Sequence, residues 1–173
     1  MKTEQRLKNK LMLPTVSLGA EHLVMGYLMR RNILTYKAPP NNAGYDLICI
    51  HPDSNNRKKG VLKIQVKSRY QIDCDRGFPV KEKTFGSFDY LIIVFENIGY
   101  YYSKKKWSNN TIDTLKPIEF YTLPEKFIKS NHSKSISGWE KVMTKNLNID
   151  KYKNELGFEQ IAKDLGIEYP NKL

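Results

Sequence analysis

Between residues 44 and 68 the chain alternates apolar and polar positions with the period of two that is typical of β-strands. Two such stretches flank a polar segment, HPDSNNRKKG at 51–60, which is rich in turn-forming residues. The pattern predicts two strands paired as an antiparallel hairpin. In the second strand one face is apolar through Leu62, Ile64 and Val66, and the other carries Val61, Lys63, Gln65 and Lys67. This hairpin brings Asp46, at the start of the first strand, beside Gln65 and Lys67.

The rest of the chain predicts helices on either side of further strands. Ser17 is a suitable N-cap for a helix over Leu18–Arg31, whose apolar face has 3–4 spacing. We expect strands at 33–37, 88–96, 98–103 and 118–122, with 98–103 joined to 88–96 as a hairpin. A short helix is expected from Pro124, a mobile connection over 129–138, and a last helix from Asp150 to Leu165 with Tyr152, Leu156, Ile161 and Leu165 as packing residues.

This order of elements predicts an α/β fold on the border with α+β, in which helices flank a central mixed sheet. With 173 residues and 40% hydrophobic content, the chain is expected to be one globular domain over 1–173. Residues 1–16 form a basic arm or tail, and 129–173 a C-terminal extension with a helix. The sequence has no apolar run of membrane-spanning length and no leader-like segment, so a cytoplasmic protein is expected.

The charge balance points to a polyanionic partner. The formal net charge is +11 and the isoelectric point is about 9.5, with most of the excess carried by lysine. Lysine favours contact with phosphates over recognition of bases. Candidate nucleic-acid contacts are Lys63, Arg69 and the run KKKW, which comprises Lys104, Lys105, Lys106 and Trp107. Lysines alternating with aromatic residues also occur on edge hairpins, where the charge prevents aggregation.

The trio of Asp46, Gln65 and Lys67 has a chemical use if it converges. Carboxylate and carbonyl oxygens are the ligands that Mg²⁺ prefers, and a nearby ammonium can position an attacking water or stabilise charge on a phosphate. Glu21 borders the buried face of the first helix and could join them. The alternative is structural: a solvated strand face, a turn aspartate, and a helix-dipole glutamate. Spacing alone favours that alternative.

Context adds a resemblance. A helix carrying Glu21, the segment GYDL at 44–47, a strand ending IQVKS at 64–68 and the strand FDYLIIVF at 88–95 occur in that order. Over roughly residues 17–125 this arrangement resembles the PD-(D/E)XK nuclease superfamily, which has the restriction-endonuclease-like fold. The resemblance implies that Asp46 and Gln65 bind the metal and that Lys67 acts on the attacking water. It adds the backbone carbonyl of Val66 as a ligand and Glu21 as a further ligand or orienting group.

The resemblance implies a Mg²⁺-dependent endonuclease acting on DNA, with Mn²⁺ able to substitute, working as a homodimer or larger homo-oligomer. Gln65 departs from the usual glutamate, so weaker metal binding is expected. Two alternatives stay open. One is a nuclease-fold DNA-binding protein that has lost catalysis. The other is a small basic interaction protein without nuclease ancestry, in which Glu21, Asp46, Gln65 and Lys67 would be scattered in space.

Overall fold

The structure is a computed structural model that describes residues 13–40, 42, 44–69, 76–97, 100–102, 107–109 and 117–170. Within these ranges there are three α-helices, namely α1 (Leu13–Met29), α2 (Glu125–Ser130) and α3 (Glu155–Leu165). Short 3₁₀ turns occupy Ser54–Lys59, Glu82–Thr84 and Asp150–Tyr152. No helix in the described ranges is long and apolar enough to cross a membrane. Residues 1–12 of the basic arm predicted at the N-terminus lie outside these ranges.

A five-stranded mixed sheet forms the centre. Its order is β1-β2-β3-β5-β8, and only the β3–β5 pair is parallel. A second sheet has the order β4-β10-β9, and β6 pairs with β7 alone. The strands are β1 (Leu34–Lys37), β2 (Leu47–Ile50), β3 (Val61–Arg69), β4 (Gly77–Pro79), β5 (Tyr90–Phe95), β6 (Tyr100–Tyr102), β7 (Trp107–Asn109), β8 (Glu119–Pro124), β9 (His132–Lys134) and β10 (Glu140–Met143). The predicted fold class, a mixed central sheet flanked by helices, is confirmed.

Both faces of the central sheet are covered. On the first face α1 and α3 pack against the strands, with Val24, Ile64 and Phe158 among the fully buried residues. On the second face β4, β10 and α2 cover Leu91 and Ile93 of β5. β5 is buried along its whole length, because the side chains on both of its faces pack against covering elements.

The predicted hairpin is present. β2 and β3 pair antiparallel with Leu47 opposite Ile64 and Ile50 opposite Val61. The first helix begins earlier than expected, at Leu13 rather than Leu18, and ends at Met29. Ser17 therefore lies inside the helix, and Pro14 is tolerated because it falls in the first turn, where a missing N–H breaks no helical hydrogen bond.

Two pairings differ from the prediction. Residues 88–96 and 98–103 do not form a hairpin: β5 pairs with β8, and β6 pairs with β7. The expected connection over 129–138 is instead largely a hairpin, because β9 pairs with β10, which in turn pairs with β4. The partner of β5 is distant in sequence, and β9 and β10 are short and polar. Local composition therefore does not predict either pairing.

The last helix also starts later than expected. Asp150 opens a 3₁₀ turn, and α3 begins at Glu155, so the predicted packing residue Leu156 is 59% exposed. Gly157 takes an inward position, where a Cβ would lie 2.4 Å from the carbonyl oxygen of Tyr152. Glycine is required there because any larger residue would collide with the backbone of Tyr152. Gly166 ends the helix in the left-handed conformation, which glycine adopts without strain.

Candidate active site

Asp46 is fixed by the backbone of the neighbouring strand. Its N–H donates to the carbonyl of Ile64 at 2.8 Å, and its Oδ2 accepts from the N–H of Val66 at 2.7 Å. The carboxylate thus takes the place of a ladder acceptor just where the β2–β3 pairing ends. A hydrogen bond from a buried backbone N–H to a charged acceptor holds this side chain in one orientation. The predicted approach of Asp46 to β3 is confirmed.

Gln65 supplies a second oxygen next to this carboxylate. The side chain is only 8% exposed, and it lies on the face of the sheet that carries Leu91 and Ile93. Its Oε1 is buried and accepts no hydrogen bond from any residue that the structure describes. An unpartnered buried carbonyl oxygen is costly, so it indicates a missing donor or cation.

Val66 and Lys67 follow on the same strand. A strand residue directs its N–H and C=O to the same neighbour, so the Val66 carbonyl turns toward the side on which Asp46 lies. Lys67 is half-buried and shares a face with Gln65, two positions along β3. Its ammonium forms no ion pair with a described residue. One carboxylate, one unpartnered carbonyl oxygen and one ammonium therefore lie at this end of β3.

Glu21 lies at the same end of the sheet but is already paired. Its carboxylate forms an ion pair with Lys37, the last residue of β1. Lys37 pairs across the sheet with Leu47, and the next residue, Ala38, donates its N–H to the carbonyl of Asp46 at 2.9 Å. Since Leu47 belongs to the core beneath α1, Lys37 and Glu21 meet on that first face. Glu21 thus lies at the same end of the sheet as Asp46 but on the first face, whereas Gln65 and Lys67 lie on the second face.

The donor set suits a hard cation with few protein ligands. Within the described part of the chain no group of three or more His, Cys, Asp or Glu side chains could hold a metal ion. Mg²⁺ often binds proteins through one or two carboxylates and completes its shell with water and phosphate oxygens. The Asp46 carboxylate and the orphan oxygen of Gln65 fit that requirement.

The candidate nucleic-acid contacts occupy different places in the structure. The Lys63 ammonium lies 5.3 Å from the centroid of the Tyr45 ring, on the face of Gln65 and Lys67. The Arg69 guanidinium instead ties β3 to β4, because it lies 4.7 Å from the ring centroid of Phe78 and donates to the carbonyl of Gly77 at 2.5 Å. Lys104, Lys105, Lys106 and the side chain of Trp107 lie outside the described part of the structure.

One residue of the site region has a role that its sequence did not predict. Asp89 accepts from the Lys63 N–H at 2.7 Å through Oδ2 and donates its own N–H to the Lys63 carbonyl at 2.8 Å. It thereby fixes the register of β3 on β5 ahead of Gln65. The signal available in the sequence was an aspartate directly before a fully apolar strand, where a side-chain acceptor can cap the ladder.

Neither the protein-family models nor the curated proteins compared with this chain match it. Among solved structures, a bacterial homing endonuclease is similar to it, with a TM-score of 0.44, 15% sequence identity, and coverage of 87% of this chain and 88% of that chain. An overlap of this degree is remote.

Proposed function

We propose that this protein is a metal-dependent endonuclease that hydrolyses phosphodiester bonds of DNA, as the resemblance to the PD-(D/E)XK superfamily implies. The observation that carries the proposal is that the Asp46 carboxylate is held by the N–H of Val66, the residue next to Gln65, whose side-chain oxygen is buried and unpartnered among the described residues; Lys67 shares the face of Gln65. The positive net charge of +11 suits a polyanionic substrate.

Each residue has a distinct part in the proposed reaction. Asp46 and Gln65 would hold Mg²⁺ through side-chain oxygens, with the Val66 carbonyl as a third protein ligand. Lys67 would donate a hydrogen bond that orients the attacking water and would stabilise negative charge on the phosphate. The chemistry that Mg²⁺ or Mn²⁺ would supply there is polarisation of the phosphate and stabilisation of the leaving oxygen.

Glu21 is assigned a supporting part. Its pairing with Lys37 makes it a group that orients Lys37 and the end of β1, and a ligand only if that ion pair opens. Since one chain offers one such site and a duplex has two strands, we further propose a homodimer or larger homo-oligomer as the form that cuts both strands. Sedimentation of the protein with and without duplex tests this point.

The direct test is a metal titration of cleavage on a labelled DNA duplex. The unmutated protein should cut with Mg²⁺ or Mn²⁺ and not in EDTA. Asp46→Asn should lower the rate by at least about 100-fold, because the charge is lost while an oxygen remains. Lys163→Ala, a substitution of an exposed lysine on α3 at the opposite face, is the control and should cut normally. Metal-independent cutting by every variant would contradict the proposal.

A second function is favoured by one specific observation. Gln65 is neutral and Glu21 is paired with Lys37, so among the four predicted site residues Asp46 alone offers a carboxylate without an ion-pair partner. A nuclease-fold protein that binds DNA without cutting it would have this composition. In that case binding would be sensitive to salt, no metal would produce cleavage, and Gln65→Glu would be the substitution with the best prospect of restoring it.

A further inference from the structure

A groove lies between the β9–β10 hairpin and the segment that follows β4. It has a volume of about 410 Å³, and its walls include Lys81, Lys83, Gly138, Trp139 and Glu140. It belongs to the small second sheet, and none of the sequence patterns above predicted it. The groove combines two lysines with one large exposed aromatic side chain.

The tip of the hairpin is held by hydrogen bonds, whereas its two large apolar side chains are exposed. The Ser135 N–H donates to the Trp139 carbonyl at 2.8 Å, and the Ser135 Oγ accepts from the Trp139 N–H at 2.9 Å. Gly138 has a φ of +81°, which a glycine adopts without strain. The side chains of Trp139 and Ile136 nevertheless stand in solvent, at 65% and 110% relative exposure. Such a turn presents an apolar surface without using it for folding.

The charges of the groove leave its lysines available. Glu140, which could neutralise them, is bound by Lys134 at 3.2 Å and by the backbone N–H of Glu82 at 2.6 Å. These contacts lower the pKa of the Glu140 carboxyl, so it stays ionised and committed to its own partners. Lys81 and Lys83 are exposed and form no ion pair with residues in the described ranges.

The segment 81–87 leads from the groove to the loop that precedes Asp46. Thr84 and Ser87 belong to the segment that begins with Lys81, and both pack on Gly44. A Cβ added at Gly44 would lie 2.5 Å from the Cβ of Ser87. Gly44 has a φ of +104° and precedes Asp46 by two residues. A strand of nucleic acid bound at Asp46 could therefore extend over Lys83 toward Trp139.

We propose that this groove binds the DNA substrate outside the scissile phosphate, with Lys81 and Lys83 contacting phosphates and Trp139 stacking on an unpaired or unstacked base. The proposal rests on the proposed function, because it extends the path of that same substrate. Alternating lysine and aromatic contacts are the usual means of holding single-stranded nucleic acid. The preferred substrate is accordingly DNA with unpaired bases close to the cleavage position.

Binding measured in EDTA tests the groove separately from catalysis. Fluorescence anisotropy is recorded with two labelled duplexes, one fully paired and one with an internal unpaired loop. Trp139→Ala should weaken binding to the looped duplex by about 10-fold and affect the paired one less, whereas Trp139→Phe should retain most of the affinity. In a Trp107→Phe background, Trp139 is the one remaining tryptophan, and its fluorescence should be quenched by the looped duplex.

The lysines are tested by salt dependence. Replacing both Lys81 and Lys83 by alanine should reduce the slope of log affinity against log salt by about two, since each phosphate contact contributes about 0.9. Lys163→Ala should leave the slope unchanged, because Lys163 lies on α3 at the other face of the sheet. Circular dichroism confirms that each variant is folded before its binding is compared.

The outcomes separate the two proposals. Unchanged binding by Trp139→Ala and by the double lysine variant overturns the groove, even if Asp46 proves essential for cleavage. Reduced binding by these variants supports the groove, even if no metal produces cleavage. A change in sedimentation of Trp139→Ala without a change in DNA affinity means that the surface joins two copies of the chain, and this also overturns the proposal.

Discussion

The Asp46 carboxylate accepts a hydrogen bond of 2.7 Å from the backbone N–H of Val66. The acid is therefore positioned by the strand that carries Gln65 and Lys67, rather than by its own loop. Because the bond is made to the backbone, substitutions of the Val66 side chain can leave it intact. The same bond makes Asp46 part of the fold as well as of the proposed metal site.

Substitution of Asp46 should separate these two roles. Asp46→Ala leaves the buried Val66 N–H without its acceptor and should lower the free energy of unfolding by about 1–3 kcal/mol. Asp46→Asn keeps an amide oxygen at that place and should be destabilised less, although its metal binding is lost. Urea unfolding compares the two variants. Equal stability of both would show that the hydrogen bond contributes little.

The unpartnered oxygen of Gln65 predicts a metal-dependent gain from Gln65→Glu. A second buried carboxylate beside Asp46 should lower the melting temperature of the metal-free protein, because like charges repel and burial disfavours the charged form. Mn²⁺ or Mg²⁺ should then raise the melting temperature more than it does in the unmutated protein. Gln65→Leu, which fills the space without an oxygen, should respond least. Identical responses of all three proteins to metal would contradict this placement of the site.

Gly157 should not tolerate alanine. The added Cβ would lie 2.4 Å from the Tyr152 carbonyl oxygen and 2.8 Å from the Thr122 side chain, so Gly157→Ala should cost about 1–3 kcal/mol of stability. Gly26→Ala in α1 is the matched control. Apart from its chain neighbours and the backbone of its own helix, no atom lies within 4 Å of the added Cβ, and the variant should gain up to about 1 kcal/mol from helix propensity. Thermal or urea unfolding compares the pair, and a stabilised Gly157→Ala would refute the close approach.

Glu96 predicts a pH-dependent difference. Burial raises the pKa of its carboxyl above the ordinary value, and its Oε1 accepts no hydrogen bond from the described residues. The folded state thus binds the Glu96 proton more tightly than the unfolded state does. The resulting contribution to stability is present below the unfolded pKa and is lost as the pH rises through the folded pKa. Glu96→Gln should accordingly be more stable than the unmutated protein at about pH 7, with the gap closing at about pH 4. A gap that is constant across this range would contradict the burial of the charge.

Much of the central sheet could be predicted from sequence because its signals are local. The hairpin around 51–60 combines period-two alternation with turn-forming residues, and its register followed from which face had to be buried. The same register placed Asp46 beside Gln65. The buried stripe of α1, which includes Ala20, Val24 and Leu28, likewise followed from helical periodicity.

The remaining parts depend on contacts between distant segments. β5 takes β8 as its antiparallel neighbour, although 98–103 is nearer in sequence, and two apolar strands of similar length give no local signal to decide between partners. The β9–β10 hairpin has the polar composition of a loop because much of it is exposed to water. The ion pair of Glu21 with Lys37 joins a helix to a strand, and spacing within either element does not reveal it.

The most direct test of the central claim is the cleavage of supercoiled plasmid in Mg²⁺ or Mn²⁺ by the unmutated protein, Lys67→Ala and Lys163→Ala. Lys67 lies on the face of Gln65, whereas Lys163 is exposed on α3, and both substitutions remove one positive charge. We expect metal-dependent nicking or cutting by the unmutated protein and Lys163→Ala, and a loss of at least about 100-fold in Lys67→Ala. Cleavage that survives Lys67→Ala would show that the active site is not at this end of β3.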